Sequence, residues 1–190
     1  MKIISGPNLI LRLLWALACA LGCMTVSAGE PLQMGMVAPD FTLKTMDAKS
    51  VTLSAETAKL PVLLIVLRGW PGYQCPLCTR QVHELVQQSD AFTGKARVIM
   101  VYPGKSENLE RHAEQFLKDQ AWPENFRFVT DPDFGFTKSY GLRWDAPGET
   151  AYPSTFVIDT QRRVQYVKTS KSHGGRASAA EALAALAKLK

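Results

Sequence analysis

The sequence contains no internal repeat, no low-complexity tract, no block of like charge and no linker long enough to divide two domains. With a formal net charge of only +5 and no basic cluster, nothing marks a nucleic-acid or membrane-surface partner. Cysteine is scarce, with only Cys19, Cys23, Cys75 and Cys78, which excludes a scaffold stapled by several disulfides. Histidine is scarcer still: His83, His112 and His173. With no second CxxC and no histidine pair near the first, a four-ligand zinc site cannot be assembled within one chain, and no cofactor is expected. A long apolar span is also missing, because Leu13–Val26 holds 14 uncharged residues and a bilayer needs about 20.

That short run has its own meaning. Lys2 and Arg12 precede it, and Val26-Ser27-Ala28 closes it as a small-residue cleavage site, so residues 1–28 are expected to be a secretory signal. An anchor lengthened by Leu9–Leu11, or a lipoprotein cut at Gly22-Cys23, ranks below simple cleavage. Removal would take Cys19 and Cys23 away, lower the charge to +3 and leave a single domain, 29–190, in the periplasm or outside the cell, with no stable membrane span.

What remains is organised around Arg68–Glu84. Pro61–Leu67 is a continuous apolar run of the kind buried on both faces of a sheet. Pro76 suits the first position of a helix, where a missing N–H costs nothing, so Cys75 falls at the N-cap and Cys78 in the first turn. The helix dipole there is expected to lower the pKa of both thiols, and Cys75, at the helix end, is expected to be the more accessible sulfur. Two cysteines at this spacing can cycle between dithiol and disulfide without unfolding the chain.

Along the chain, Met36–Leu43 and Ser50–Leu53 form an expected N-terminal hairpin, followed by a short helix from Ser54 to Lys59. The cysteine helix is expected to end near Gln88, with a turn over Ser89–Gly94. Arg97–Tyr102 and Phe126–Thr130 read as buried strands around a helix over Ser106–Gln120. Asp131-Pro132-Asp133 is expected to break the second strand and start a short helix towards Tyr140. This alternation implies a parallel core. Thr155–Asp159 and Val164–Lys168 then form a hairpin. Ser178 and Glu181 make a capping box for a helix over Ala179–Leu189.

Over Met36–Lys168 the chain resembles the thioredoxin-fold redoxins of the AhpC/TSA class. The features that carry this are the opening Ala38-Pro39-Asp40-Phe41-Thr42-Leu43, the strand leading into Arg68–Cys78, the strand Thr155–Asp159, and Tyr152-Pro153 just before it. The resemblance implies an α/β thioredoxin-like fold: a central mixed sheet, flanking helices and the N-terminal hairpin. It also implies that Pro153 is cis and lies against the cysteine pair. Peroxiredoxins carry Pro-x-x-x-Thr/Ser-x-x-Cys, and Pro71 to Cys78 fits that spacing with Cys78 in the peroxidatic position and Cys75 replacing the hydroxyl residue. The arginine that peroxiredoxins place three residues before the strand phenylalanine is here Pro153. Thioredoxin-type disulfide oxidoreductases share the CxxC and the proline, but they carry tryptophan directly before the first cysteine, whereas Trp70 lies five residues upstream.

Two enzymatic readings follow. In the first, Cys75 attacks a protein disulfide and Cys78 resolves the mixed disulfide; in the second, Cys78 attacks a peroxide and Cys75 condenses with the sulfenic acid. Both need an external thiol donor. Arg68 could hold a thiolate or peroxide anion or be an ordinary ion pair, and Trp70 and Tyr73 could line the site or pack the core. His83 is expected in solvent and His112 inert. A binding alternative resembles the Sco-type copper chaperones, with Cys75, Cys78 and His173 as ligands, although that family separates its cysteines by three residues rather than two.

Overall fold

The computed structural model describes residues 29–118 and 122–189; the expected signal segment lies outside the described residues. The elements in order are β1 (Thr42–Thr45), β2 (Ser50–Thr52), α1 (Leu53–Thr57), β3 (Val62–Val66), α2 (Pro76–Gln87), α3 (Ser89–Phe92), β4 (Arg97–Gly104), α4 (Leu109–Leu117), β5 (Phe126–Pro132), α5 (Gly135–Ser139), β6 (Ser154–Ile158), β7 (Val164–Thr169) and α6 (Ala179–Leu186). The strands form one mixed sheet in the order β2-β1-β5-β4-β3-β6-β7. Its centre is parallel, with β3 beside β4 and β4 beside β5, while β6 runs antiparallel to β3 and β7 to β6. The hairpin β1–β2 does more than precede the core: β1 pairs antiparallel with β5 and extends the sheet.

β3 shows why its run is apolar throughout. Leu63, Ile65 and Leu67 face a core that includes Cys75, Cys78, Val82 and Leu85 of the cysteine region and Ala179, Ala182 and Leu186 of α6. Val62, Leu64 and Val66 face the other side, against Leu53, Phe136 and Tyr140. Side chains alternate with a period of two, so a strand covered on both faces shows no polar alternation.

Several boundaries depart from the sequence reading, each for a local reason. β4 continues through Pro103 and Gly104, and β5 through Asp131 and Pro132, because these residues pair with one another at the sheet end. The break expected at Asp131 falls instead at Asp133 and Phe134, both left-handed (φ 55° and 65°), and Asp131 acts as a cap: its carboxylate accepts the N–H groups of Phe136 (2.8 Å) and Thr137 (3.0 Å) at the start of α5. α4 begins at Leu109 rather than Ser106, since Asn108 is left-handed (φ 61°) and the Ser106 N–H is taken by the Asp133 carboxylate at 3.0 Å. Ser89–Phe92 is a single helical turn anchored by the fully buried Phe92. The expected capping box of Ser178 and Glu181 is present.

The chain passes from β3 to α2 along the end of β4. Gly69 has φ +71°, and a Cβ there would stand 1.9 Å from the Pro103 carbonyl oxygen, so only glycine allows this close approach. The Trp70 N–H donates to that same oxygen at 3.2 Å. On either side of this crossing in sequence, Arg68 reaches Glu149 and Trp70 reaches His112.

Candidate active site

Cys75 is the N-cap of α2, with extended dihedrals (φ −75°, ψ 109°), and Pro76 occupies the first helical turn. The sulfur takes the role an N-cap oxygen usually fills, accepting the Cys78 N–H at 3.3 Å. Arg176, in the segment between β7 and α6, donates from Nη2 to the same sulfur at 3.5 Å. Cys75 is therefore held well below an ordinary thiol, at about 6. The largest cause is the Cys78 thiol donating to it; burial opposes; the Cys78 amide, Arg176 and Arg68 add to the lowering.

Cys78 departs from the sequence expectation. Burial pushes its thiol well up, and the hydrogen bond it gives to Cys75 pushes the same way. Its side chain points into the core against the sheet, where loss of hydration outweighs the field of the first helical turn. Cys75 is the less buried of the two, as expected, but the margin is slight: Cys75 is 2% exposed and Cys78 0%. The two thiols are free rather than joined. The arrangement is thus one thiolate supported by one neutral thiol, a state ready to form a disulfide once an oxidant reaches Cys75.

Arg68 and Tyr73 are brought together, although the Arg68 guanidinium makes no hydrogen bond to either sulfur. Arg68 is 3% exposed. Its Nε donates to Glu149 Oε2 at 2.7 Å, Nη1 to the Tyr73 hydroxyl at 2.6 Å and Nη2 to the Gly148 carbonyl at 3.1 Å. Glu149 Oε1 in turn meets His173 Nε2 at 2.8 Å. Burial disfavours the Glu149 anion, but Arg68 and then His173 overcome this and hold its carboxyl below the usual range. Tyr73 remains half exposed at the site rim.

Trp70 packs against the core that holds both cysteines and stacks on His112 of α4, with ring centres 3.7 Å apart and planes 6° from parallel. Gln74 pins the same loop from below: its Nε2 donates to the His112 carbonyl at 2.8 Å and its Oε1 accepts from Tyr102 at 3.0 Å. Pro153 is buried beside the site end of the sheet, since Ser154 pairs with Val66. The cis bond implied for it is corrected: the described residues contain no cis peptide. Antiparallel pairing of β6 runs straight back from Ser154, and the Pro153 carbonyl accepts the Ser170 N–H at 2.8 Å. His83 is exposed and bonds Gln87.

The copper alternative is not assembled. Among the described residues no three His, Cys, Asp or Glu side chains gather as a metal site, and the His173 ring is engaged by Glu149. Sequence reasoning missed Glu149, Arg176 and Gln81. Gln81, 6% exposed, donates to the Ala177 carbonyl at 3.2 Å and accepts from Arg176 Nη1 at 3.4 Å. For Arg176 the hint was the polar character of the segment before α6, where only His173 attracted notice.

The Redoxin family pattern matches residues 33–185, most of the chain. The chain belongs to the Redoxin family. Among curated relatives, this redoxin is 29% identical over 133 residues to the chloroplastic peroxiredoxin Q of Triticum aestivum, covering 70% of this chain and 57% of that protein. It therefore spans just over half the length of that relative. It is 26% identical over 158 residues to peroxiredoxin Bcp of Escherichia coli K12, covering 76% of this chain and 92% of that one. Among solved structures, the fold is shared with peroxidoxin BcpB of Mycobacterium tuberculosis (TM-score 0.64, 22% identity, 84% of this chain and 99% of that one). A putative thiol:disulfide interchange protein DsbE of Chlorobium tepidum is also similar (TM-score 0.60, 25% identity, 82% and 99%). The relatives and neighbours are thus named for thiol peroxidase and thiol–disulfide chemistry. No helix among the described residues is long and apolar enough to cross a membrane.

Proposed function

We propose that this redoxin is an exported thiol–disulfide oxidoreductase in which Cys75 attacks and Cys78 resolves. The observation that carries the reading is the asymmetry of the pair: Cys75 is charged by Cys78, its amide and Arg176, while Cys78 stays neutral in the core. The Cys75 thiolate attacks one sulfur of a protein disulfide, forming a mixed disulfide and expelling the partner's other sulfur as thiolate. Cys78 then gives up its proton and attacks Cys75, releasing the partner's second thiol and leaving a Cys75–Cys78 disulfide. Two electrons have reached the substrate, and an external thiol donor restores the dithiol.

Export is supported by the charged start, uncharged run and small-residue site within residues 1–28. The mass of the chain recovered from the extracytoplasmic fraction tests it, with cleavage after Ala28 expected and a retained leader contradicting it. The exchange reaction is tested with Cys78→Ser, which should accumulate mixed disulfides on Cys75; an absence of adducts, with adducts on Cys78 in Cys75→Ser, would reverse the roles.

The register from Pro71 to Cys78 and the peroxiredoxin relatives favour a second reading, reduction of a peroxide. Here the attacking sulfur becomes a sulfenic acid as the peroxide O–O bond breaks and water or an alcohol leaves, and the other cysteine condenses with it, releasing water. The register assigns attack to Cys78, whereas the charged sulfur in this structure is Cys75. Peroxide consumption lost with Cys78→Ser but partly kept with Cys75→Ser would establish the peroxidatic register.

A further inference from the structure

α2 grips the segment leading into α6 at three points. Cys75 Sγ takes Arg176 Nη2 at 3.5 Å, Gln81 exchanges hydrogen bonds with the Ala177 carbonyl and Arg176, and Glu84 Oε1 accepts the Ala179 N–H at 2.8 Å. The guanidinium is thus set by a buried amide as well as by the sulfur. Among the described residues no carboxylate lies within ion-pairing distance of Arg176, and its Nε is buried without a partner. The group is placed for an anion, and the one it touches is the sulfur.

We propose that Arg176 is a positioning residue for Cys75 that stabilises the reduced couple, so that the Cys75–Cys78 pair is a stronger oxidant with Arg176 than without it. The inference rests on the reading of this pair as a redox couple. Its logic is linkage: Arg176 meets a negative sulfur only in the dithiol form, because joining the sulfurs removes the charge. A contact present in one state and absent in the other shifts the equilibrium toward the state that has it. Stabilising the reduced form of a dithiol raises its reduction potential. The other groups near the thiolate are Cys78 in the same helix, whose thiol Arg176 also draws down, Arg68 just beyond β3, and Tyr102 on β4.

The test compares the full chain with Arg176→Met, Arg176→Gln and Arg176→Lys, each checked for a native circular dichroism spectrum; glutamine keeps a polar group near Gln81 should methionine fail to fold. Thiolate absorbance is titrated, and the couple is equilibrated with glutathione at pH 8. With methionine or glutamine, the Cys75 midpoint should rise by about one unit. The equilibrium should then move roughly tenfold toward the disulfide, and lysine should recover most of both effects. A neutral variant with the unsubstituted protein's midpoint and equilibrium would overturn the inference, as would a lysine variant shifted as far as methionine, which would make the role one of packing. A native protein whose cysteines never form a disulfide with glutathione would instead sink the functional reading itself.

Discussion

Arg68 and Glu149 are 81 residues apart in sequence, and Arg68 Nε donates to Glu149 Oε2 at 2.7 Å. The pair joins the end of β3 to the loop before β6, and through Tyr73 and His173 it ties together the two loops that flank the cysteines.

Glu149→Gln should therefore destabilise the fold by about 1–3 kcal/mol at pH 7, the usual worth of a hydrogen bond to a charged group that loses its charge. Its pH dependence follows from the depressed carboxyl. A carboxyl lower in the folded than in the unfolded state adds stability above the ordinary value of 4.5, and loses it as pH falls through the lower folded value. Urea unfolding should show a gap between the proteins at pH 7 that closes as pH falls below the ordinary carboxyl value and through the lower folded one; a gap of equal size in neutral and in strongly acidic solution would make the effect steric.

Gly69→Ala places a methyl group 1.9 Å from the Pro103 carbonyl oxygen at a left-handed position. The expected loss is about 3 kcal/mol or more, above the cost of positive φ alone. Thermal unfolding measures it. The same variant should slow alkylation of Cys75, because the crossing that places Arg68 and Trp70 must shift; an unchanged unfolding temperature would show that the backbone relaxes freely.

Cys78→Ala should raise the Cys75 midpoint toward an ordinary thiol by more than one unit, since the Cys78 thiol is the largest single support for the Cys75 charge. Cys78→Ser, which keeps a donor, should raise it less. Thiolate absorbance against pH separates the two, and identical midpoints in both variants would assign the support to the helix terminus instead.

The local features of the site were legible because they depend on neighbouring residues. The apolar run Val62–Val66 fixes a two-faced strand, Pro76 fixes the helix start, and Cys75 falls at the cap as a consequence. The two hairpins and the Ser178 box are local in the same sense. Cys78 was misjudged because spacing reveals its position in the helical turn but not the burial of its side chain against the sheet, which reverses the effect on its acidity. Arg176 and Glu149 were invisible for another reason: the sulfur and guanidinium they serve lie 101 and 81 residues away. Pro153 occupies the family's position, yet its bond is trans here, which position alone does not determine.

The account turns on which sulfur carries the charge. Reduced native protein should be pulsed with iodoacetamide across pH 4 to 10 and the modified cysteine identified by mass. Carbamidomethylation should fall on Cys75, with a midpoint at about 6, while Cys78 stays unmodified. Modification of Cys78 first, or a Cys75 midpoint near the ordinary 9.0, would contradict it.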